Sequence, residues 1–284
     1  MRSRDDEEGF DLVTVQSGAR SMRSRQFAET FHPVIGPIAE AVALHVRQQR
    51  LIERACATAE PFVIWDVGLG AAANAIAVLD AFQESAALAT VELHSIDHTA
   101  APLSFALEHA SELGYLAPRV EEARELLRAG CVQTGAVEWQ FHRADFRNLI
   151  EEQRLPEPHA ILFDPYSPRA NPQMWTLDLF AGVRRCLSDQ RGCLLTNYTR
   201  STAVRVTLLL AGFFVGHGHA TGEKDQTTIA SNRLELLEAP LDFAWLQRVR
   251  RSTSAAPLTG SSKRVGPISP EHWKALLGHA QFIR

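Results

Sequence analysis

The sequence predicts an α/β protein. Its centre is a mostly parallel seven-stranded sheet with an antiparallel hairpin at one edge, preceded by an N-terminal hairpin and helix. Three observations carry this. From residue 62 onward, short apolar runs alternate with stretches of helical periodicity, as in parallel strands covered on both faces. The last two runs, 213–219 and 227–231, have no helix between them and read as antiparallel partners. Three earlier runs end near an acid, at Asp97, Asp145 and Asp164. The carboxyl ends of parallel strands are where open α/β sheets hold their ligands.

Residues 11–27 alternate weakly about Ser17-Gly18-Ala19, which predicts a short hairpin outside the main sheet. Ile38, Val42, Leu44, Val46, Leu51 and Ile52 recur at helical spacing and predict a helix over 36–57. The first main strand is 62–65, followed by a helix over 71–86. The second strand, 91–96, precedes helical material over 102–113 and an amphipathic helix over 119–130. Strands are expected at 137–142, 160–164 and 193–198, and helices at 176–188 and 202–211. After residue 240, helical pieces at 241–250 and 270–277 are joined by a Ser/Pro/Gly-rich loop and read as an appendage. The expected division is an extension over 1–58, a central domain over 59–240 and a helical tail over 241–284.

At 284 residues and 45% hydrophobic content the chain can bury a full core. No apolar run approaches the roughly 18 residues of a membrane span. The opening MRSRDDEEGF lacks the apolar centre of a signal peptide. Cys56, Cys131, Cys186 and Cys193 form no CxxC pair, so no disulfide framework and no metal site is expected. A reduced, cytoplasmic setting follows as the expectation. The net charge of −4 argues weakly against nucleic-acid binding, but the distribution is uneven. Arg20, Arg23 and Arg25 cluster near the start, Arg248, Arg250 and Arg251 near the end, and Lys263 and Arg264 follow. Such clusters suit a phosphate-contacting rim or, equally, a solvated surface.

The first strand runs into Asp66-Val67-Gly68-Leu69-Gly70-Ala71-Ala72-Ala73-Asn74. Small residues there let the chain turn sharply and bring backbone N–H groups close to a ligand. The fourth strand, Ala160-Ile161-Leu162-Phe163, ends on Asp164 and enters a rigid loop containing Pro165, Tyr166, Ser167, Pro168, Asn171, Pro172 and Trp175. An acid at a strand end followed by such a loop marks the place where a sheet of this kind does its chemistry. Five βα units closed by a hairpin resemble the Rossmann-like class I S-adenosylmethionine-dependent methyltransferases.

Three segments sharpen the resemblance. Gln26-Phe27-Ala28-Glu29-Thr30-Phe31-His32-Pro33, with Gly36 to Glu40 after it, looks like E-x-Y-H-S…G-A-x-x-E. Gly68-Leu69-Gly70 with Asn74 is similar to G-F-G-T-G-x-N. Asp164 to Trp175 looks like D-[AG]-F-S-P-x-K-N-P-x-M-W. Thr196 to Thr199 and Gly222-Glu223-Lys224 add weaker matches. Together they resemble the methyltransferase module of the tRNA wobble-uridine enzymes, the MnmC-like family, in its stand-alone form. Departures are Ala71-Ala72 for Thr-Gly, Arg169 for Lys, and Pro165 beside the acid.

The resemblance implies S-adenosyl-L-methionine as cofactor, bound by Gly68, Gly70, Asn74, Asp97, Asp145 and Phe146. Asp97 is expected at the ribose hydroxyls, because a carboxylate offers two acceptors and no donor. Asp145 is expected at the adenine amino group with Phe146 beside the ring. It implies tRNA as partner, with the aminomethyl group of 5-aminomethyl-2-thiouridine as methyl acceptor, and a separate flavin oxidoreductase or modification complex supplying that uridine. Asp164 and Tyr166 take the catalytic places. Phe31, His32, Glu40, Ser167, Asn171 and Trp175 take the substrate. On its own, Trp175 reads equally as a core anchor for the following helix. Two other functions stay open: an aminopropyltransferase on the same scaffold, and a non-catalytic RNA- or protein-binding module with a degenerate turn. A dehydrogenase is disfavoured because the turn lacks a third glycine.

Overall fold

The computed structural model describes residues 9–85, 89–221, 226–260 and 266–283. Lys263, Arg264 and the Gly222-Glu223-Lys224 segment lie outside the described residues. The chain opens with a small antiparallel sheet of β1 (Phe10–Thr14), β2 (Arg20–Ser24) and β3 (Glu29–Thr30), in that order. The expected hairpin therefore gains a third strand. The helix expected over 36–57 is three pieces. These are α1 (Pro37–Ala41), a π-helical stretch (Val42–Arg47) and α2 (Leu51–Cys56). The break falls at Arg50, whose φ of 51° is left-handed and stops helix propagation.

The main sheet is built in chain order from β4 (Phe62–Val67), α3 (Ala73–Glu84), β5 (Val91–Asp97), α4 (Ala101–Glu108), α5 (Ala110–Leu113), α6 (Val120–Ala129), β6 (Cys131–Thr134) and β7 (Val137–Arg143). It continues with α7 (Phe146–Glu151), β8 (Ala160–Phe163), α8 (Leu177–Arg185), β9 (Leu194–Asn197), α9 (Thr202–Leu210), β10 (Phe214–Gly218) and β11 (Thr227–Ser231). Two helices follow, α10 (Phe243–Arg251) and α11 (Pro270–Leu277). The spatial order is β10-β11-β9-β8-β4-β5-β7-β6. The five strands β7, β5, β4, β8 and β9 are parallel, and β11 runs antiparallel to both β9 and β10.

The sheet has eight strands where seven were expected. The addition is β6, which pairs antiparallel with β7. Gly130 ends α6 at φ 79° and Gly135 turns the chain back at φ 56°. The four residues of β6 are half exposed and only Val132 is strongly apolar, so the strand has almost no hydrophobic signature.

Every residue of β4 is buried, as expected for a central parallel strand covered on both faces. Its side chains divide between two cores. Ile64 joins Leu51, Ile76, Leu79, Leu103 and Leu126 on one face, and Trp65 joins Ile150, Phe180, Val183 and Leu208 on the other. Trp245, Leu246 and Val249 of α10 and Leu276 of α11 belong to that second core, so the C-terminal helices are packed into it. The parallel arrangement brings the carboxyl ends of β4, β5, β7 and β8 to one side, beneath the N-terminal sheet.

Candidate active site

The turns after β4, β5, β7 and β8 enclose a cavity of about 620 Å³. Residues of the N-terminal segment, from Ser21 and Met22 through Phe27, Glu29, Phe31 and His32, roof it over. Phe10 ties that roof down against Phe105 of α4, with ring centroids 5.6 Å apart.

The turn after β4 depends on close backbone approach. Gly68 has a φ of 98°, and a Cβ there would lie 2.8 Å from the carbonyl oxygen of Asp164. No side chain fits at Gly68, so at this point the first turn meets the Asp164 loop backbone to backbone. Gly70, also left-handed, donates its N–H to Asp97 Oδ2 at 3.1 Å. The Tyr115 hydroxyl donates to the carbonyl of Ala71 at 3.0 Å and steadies the turn from the far side. Ala72 adopts a φ of 63° with its methyl fully buried, so the turn keeps a left-handed conformation without a third glycine.

Asp97 stands at the end of β5, with Oδ1 3.1 Å from His98 Nδ1. Asp145 caps α7 by accepting the Arg147 N–H at 2.9 Å. The Arg147 guanidinium forks onto the same carboxylate and holds Asp145 below the usual carboxylate range. Phe146 packs against Trp65 and Phe163 and presents to the cavity wall.

Asp164 accepts from Asn74 Nδ2 at 3.0 Å, and His32 Nε2 lies 3.8 Å from the same oxygen. Beneath them Asp66 is completely buried and accepts from Ser95 Oγ at 2.7 Å. Burial pushes its carboxyl up to about 7, and the neighbouring Asp164 and Asp97 charges add to the rise. Asp66 was read from the sequence only as the first residue of the turn, because depth below the turn leaves no trace in the sequence pattern.

The loop after Asp164 is clamped from two sides. Glu29 accepts from the Ser167 N–H at 2.9 Å and from the Ser167 hydroxyl. Phe27 stacks on Tyr166 with centroids 4.1 Å apart, and Phe31 sits 5.5 Å from the same ring. The Tyr198 hydroxyl donates to the carbonyl of Pro165 at 3.1 Å, and burial raises its phenol well above the ordinary range. Asn171 closes the loop by donating its N–H to the Ser167 carbonyl at 2.8 Å.

Of the residues singled out from sequence, Phe31, His32, Glu40, Gly68, Gly70, Asn74, Asp97, Asp145, Phe146, Asp164, Tyr166, Ser167 and Asn171 line this one cavity. Trp175 does not. It is fully buried, its ring meets Phe163, Phe180 and Tyr198, and its indole N–H donates to the Tyr166 carbonyl at 2.9 Å. The expectation that Trp175 contacts substrate is therefore corrected: it supports the loop from inside the core. Phe27, Glu29, Tyr115 and Arg147 also line the cavity and were not singled out. Glu29 and Phe27 belong to the N-terminal motif quoted above, and that was the available signal.

Residues 116–233 match a family model described as S-adenosyl-L-methionine-dependent methyltransferase. That stretch of the chain, from shortly after α5 to just past β11, is similar to methyltransferases of this class. The chain shares its fold with a solved structure of MNMC2 from Aquifex aeolicus, at a TM-score of 0.70 and 23% identity, covering 89% of this chain and 78% of that one. In sequence it is similar to the tRNA 5-methylaminomethyl-2-thiouridine biosynthesis bifunctional protein MnmC of Aeromonas hydrophila, 27% identical over 69% of this chain and 32% of that protein. It is 33% identical to the MnmC of Nitrosospira multiformis over 56% of this chain and 27% of the relative. The chain thus spans about a third of the length of the curated relatives it matches. The methyltransferase cofactor is S-adenosyl-L-methionine, and the residues present fit it. The turn has no room for a Cβ at Gly68 and keeps a left-handed backbone at Gly70, and two carboxylates stand at the ends of β5 and β7.

Proposed function

We propose that this domain methylates the aminomethyl nitrogen of 5-aminomethyl-2-thiouridine at the wobble position of tRNA. The observation that carries the reading is the junction of two half-sites. Asp164, the acid suited to hold an amine, is hydrogen-bonded by Asn74 of the cofactor turn and lies against the backbone of Gly68. In support, the Aeromonas hydrophila and Nitrosospira multiformis relatives are named for the biosynthesis of the methylated form of this nucleoside.

In this reading Gly68, Gly70, Asn74, Asp97, Asp145 and Phe146 hold the cofactor. When bound, the cofactor supplies a methyl carbon on a sulfonium, which the amine lone pair takes in line while the carbon–sulfur electron pair stays on sulfur. The protein's part is alignment and exclusion of water. Asp164 accepts an N–H of the amine and orients it, and Tyr166 closes the same wall. Phe31, His32, Glu40, Ser167 and Asn171 surround the uridine. Glu29, Glu40, Asp97, Asp145 and Asp164 all face the cavity, which makes it hospitable to a cationic amine and hostile to a phosphate. The tRNA backbone then stays at the rim, where Arg23 on β2 is exposed. Arg25 is engaged with Asp11. A separate flavin oxidoreductase or modification complex supplies the aminomethyl uridine, and the setting is the cytoplasm. No helix among the described residues is long and apolar enough to cross a membrane.

Nucleoside mass spectrometry of tRNA from a strain lacking this gene tests the proposal. Loss of 5-methylaminomethyl-2-thiouridine with accumulation of the 5-aminomethyl form is expected. An unchanged nucleoside profile, with no transfer by the purified chain to undermethylated tRNA, overturns it.

A further inference from the structure

We infer that His32 is the base that takes the proton from the substrate ammonium before methyl transfer, while Asp164 holds the nitrogen. The inference rests on the aminomethyl substrate proposed above.

The proton inventory requires a base. An alkylammonium titrates near 10 and has no lone pair while protonated. It loses one proton to become nucleophilic, its nitrogen–carbon bond forms as the carbon–sulfur bond breaks, and the product is a secondary ammonium. One proton therefore leaves per turnover, and it leaves before the bond forms. Carboxylates ordinarily titrate near 4 and imidazoles near 6.5, so an imidazole is the stronger base by about two orders of magnitude.

Two imidazoles line the cavity among the described residues, His32 and His98. His98 lies at the other end of the site, 3.1 Å from Asp97. His32 Nε2 lies 3.8 Å from Asp164 Oδ2, and both side chains are largely buried. At that separation one nitrogen can donate to both atoms at ordinary hydrogen-bond distances, about 2.8 Å each. The backbone adds an independent mark. His32 adopts a φ of 47°, a left-handed conformation that a non-glycine residue adopts only under strain. Such strain gathers at functional sites, where the surrounding structure holds a side chain in place.

Asp66, raised to about 7, is fully buried beneath Asp164 and does not line the cavity, which leaves His32 as the acceptor. His45, on the π-helical stretch behind it, is fully buried and kept neutral, with its imidazole down at about 3. Glu29 of β3 is engaged with Ser167, and the Tyr198 phenol with the Pro165 carbonyl. Glu40 of α1 and Tyr166 face the same space, and Arg147 is forked onto Asp145. Solvent takes the proton from His32 after product leaves.

The test is single-turnover methylation of tRNA bearing the aminomethyl uridine, followed from acid to alkaline pH, with cofactor affinity measured separately. For the wild-type chain the rate is expected to rise tenfold per pH unit and level off in the imidazole range. His32→Ala is expected to lose about 100-fold or more at neutral pH and to lose the levelling, with added imidazole restoring part of the rate. His32→Gln keeps a polar side chain but cannot take a proton, and is expected to fail equally. Without any turnover, proton NMR of the wild type is expected to show one histidine resonance, absent from His32→Gln, that titrates in the imidazole range. A His32→Ala rate with the wild-type pH profile, a His32→Gln variant at wild-type speed, or a His32 resonance that does not titrate there overturns the inference. Absence of transfer by the wild type, with cofactor bound, overturns the aminomethyl reading and the inference with it.

Discussion

Asp164 gains its position from Asn74 and from the chain that leads into it, and Asn74 joins its carboxylate to the cofactor turn by a hydrogen bond. Removing the carboxylate should therefore separate the two half-sites. Asp164→Ala is expected to abolish methyl transfer while cofactor affinity, measured by calorimetry, stays within about tenfold, since one hydrogen bond is worth about 1 kcal/mol. Retained turnover removes Asp164 from its role. Gly68 is the opposite case, a residue whose whole contribution is absence of a side chain. Gly68→Ala forces a left-handed alanine and a Cβ 2.8 Å from a backbone oxygen. A loss of at least about 2 kcal/mol in unfolding free energy is expected by urea titration. Ala72 takes a left-handed backbone with its methyl buried at 0% exposure, so the departure from the usual third glycine leaves the turn formed.

Among the elements, the loop from Asp164 to Trp175 is held at Tyr166 and Ser167 from two directions, Glu29 taking the Ser167 N–H and the Trp175 indole donating to the Tyr166 carbonyl. Trp175→Phe keeps most of the packing against Phe163 and Phe180 but leaves the Tyr166 carbonyl without that donor. A loss of about 1–3 kcal/mol in stability and a lower transfer rate at unchanged cofactor affinity are expected, from urea titration and single-turnover kinetics. A rate equal to wild type would show that Tyr166 does not need this support. The strand–helix rhythm after residue 62 was legible because buried parallel strands are nearly continuous apolar runs. β6 was not, because two glycines and a half-exposed face erase its pattern. The helix expected over 36–57 was misread for a related reason. Its apolar periodicity runs on through the π-helical stretch and past Arg50, where only the backbone changes. Within the site, the acids at strand ends were visible as residue types at element boundaries. The direction of the Trp175 ring was not, since an aromatic beside an acid reads the same whether it faces cavity or core.

The molecule as a whole carries several imidazoles that folding keeps neutral. Burial lowers His45 to about 3 and His94, His142 and His159 to about 4. The sign follows directly. With folded values below the ordinary 6.5, the unfolded chain takes up protons first, so the stability is complete above about pH 6.5 and is lost as pH falls toward 4. Asp66 works the other way, because its raised carboxyl favours the folded state as pH falls from 7 toward 4. One carboxyl faces four imidazoles, so a net loss in acid is expected. His45 alone, fully buried, accounts for on the order of a few kcal/mol. Urea titrations at pH 7.5 and pH 5 check this, and His45→Gln should flatten the difference. Equal stability at the two pH values would contradict it.

The N-terminal roof has one more consequence. Glu29 of β3, with Phe27, Phe31 and His32 in the turns on either side of it, belongs to a small N-terminal unit that rests on the main domain, and the space these residues cover exists only while that unit is docked. Whatever occupies the space bridges the two bodies. Its affinity and the docking of that unit are then one linked equilibrium, in which each molecule that lodges there also fastens residues 9–32 to the main domain.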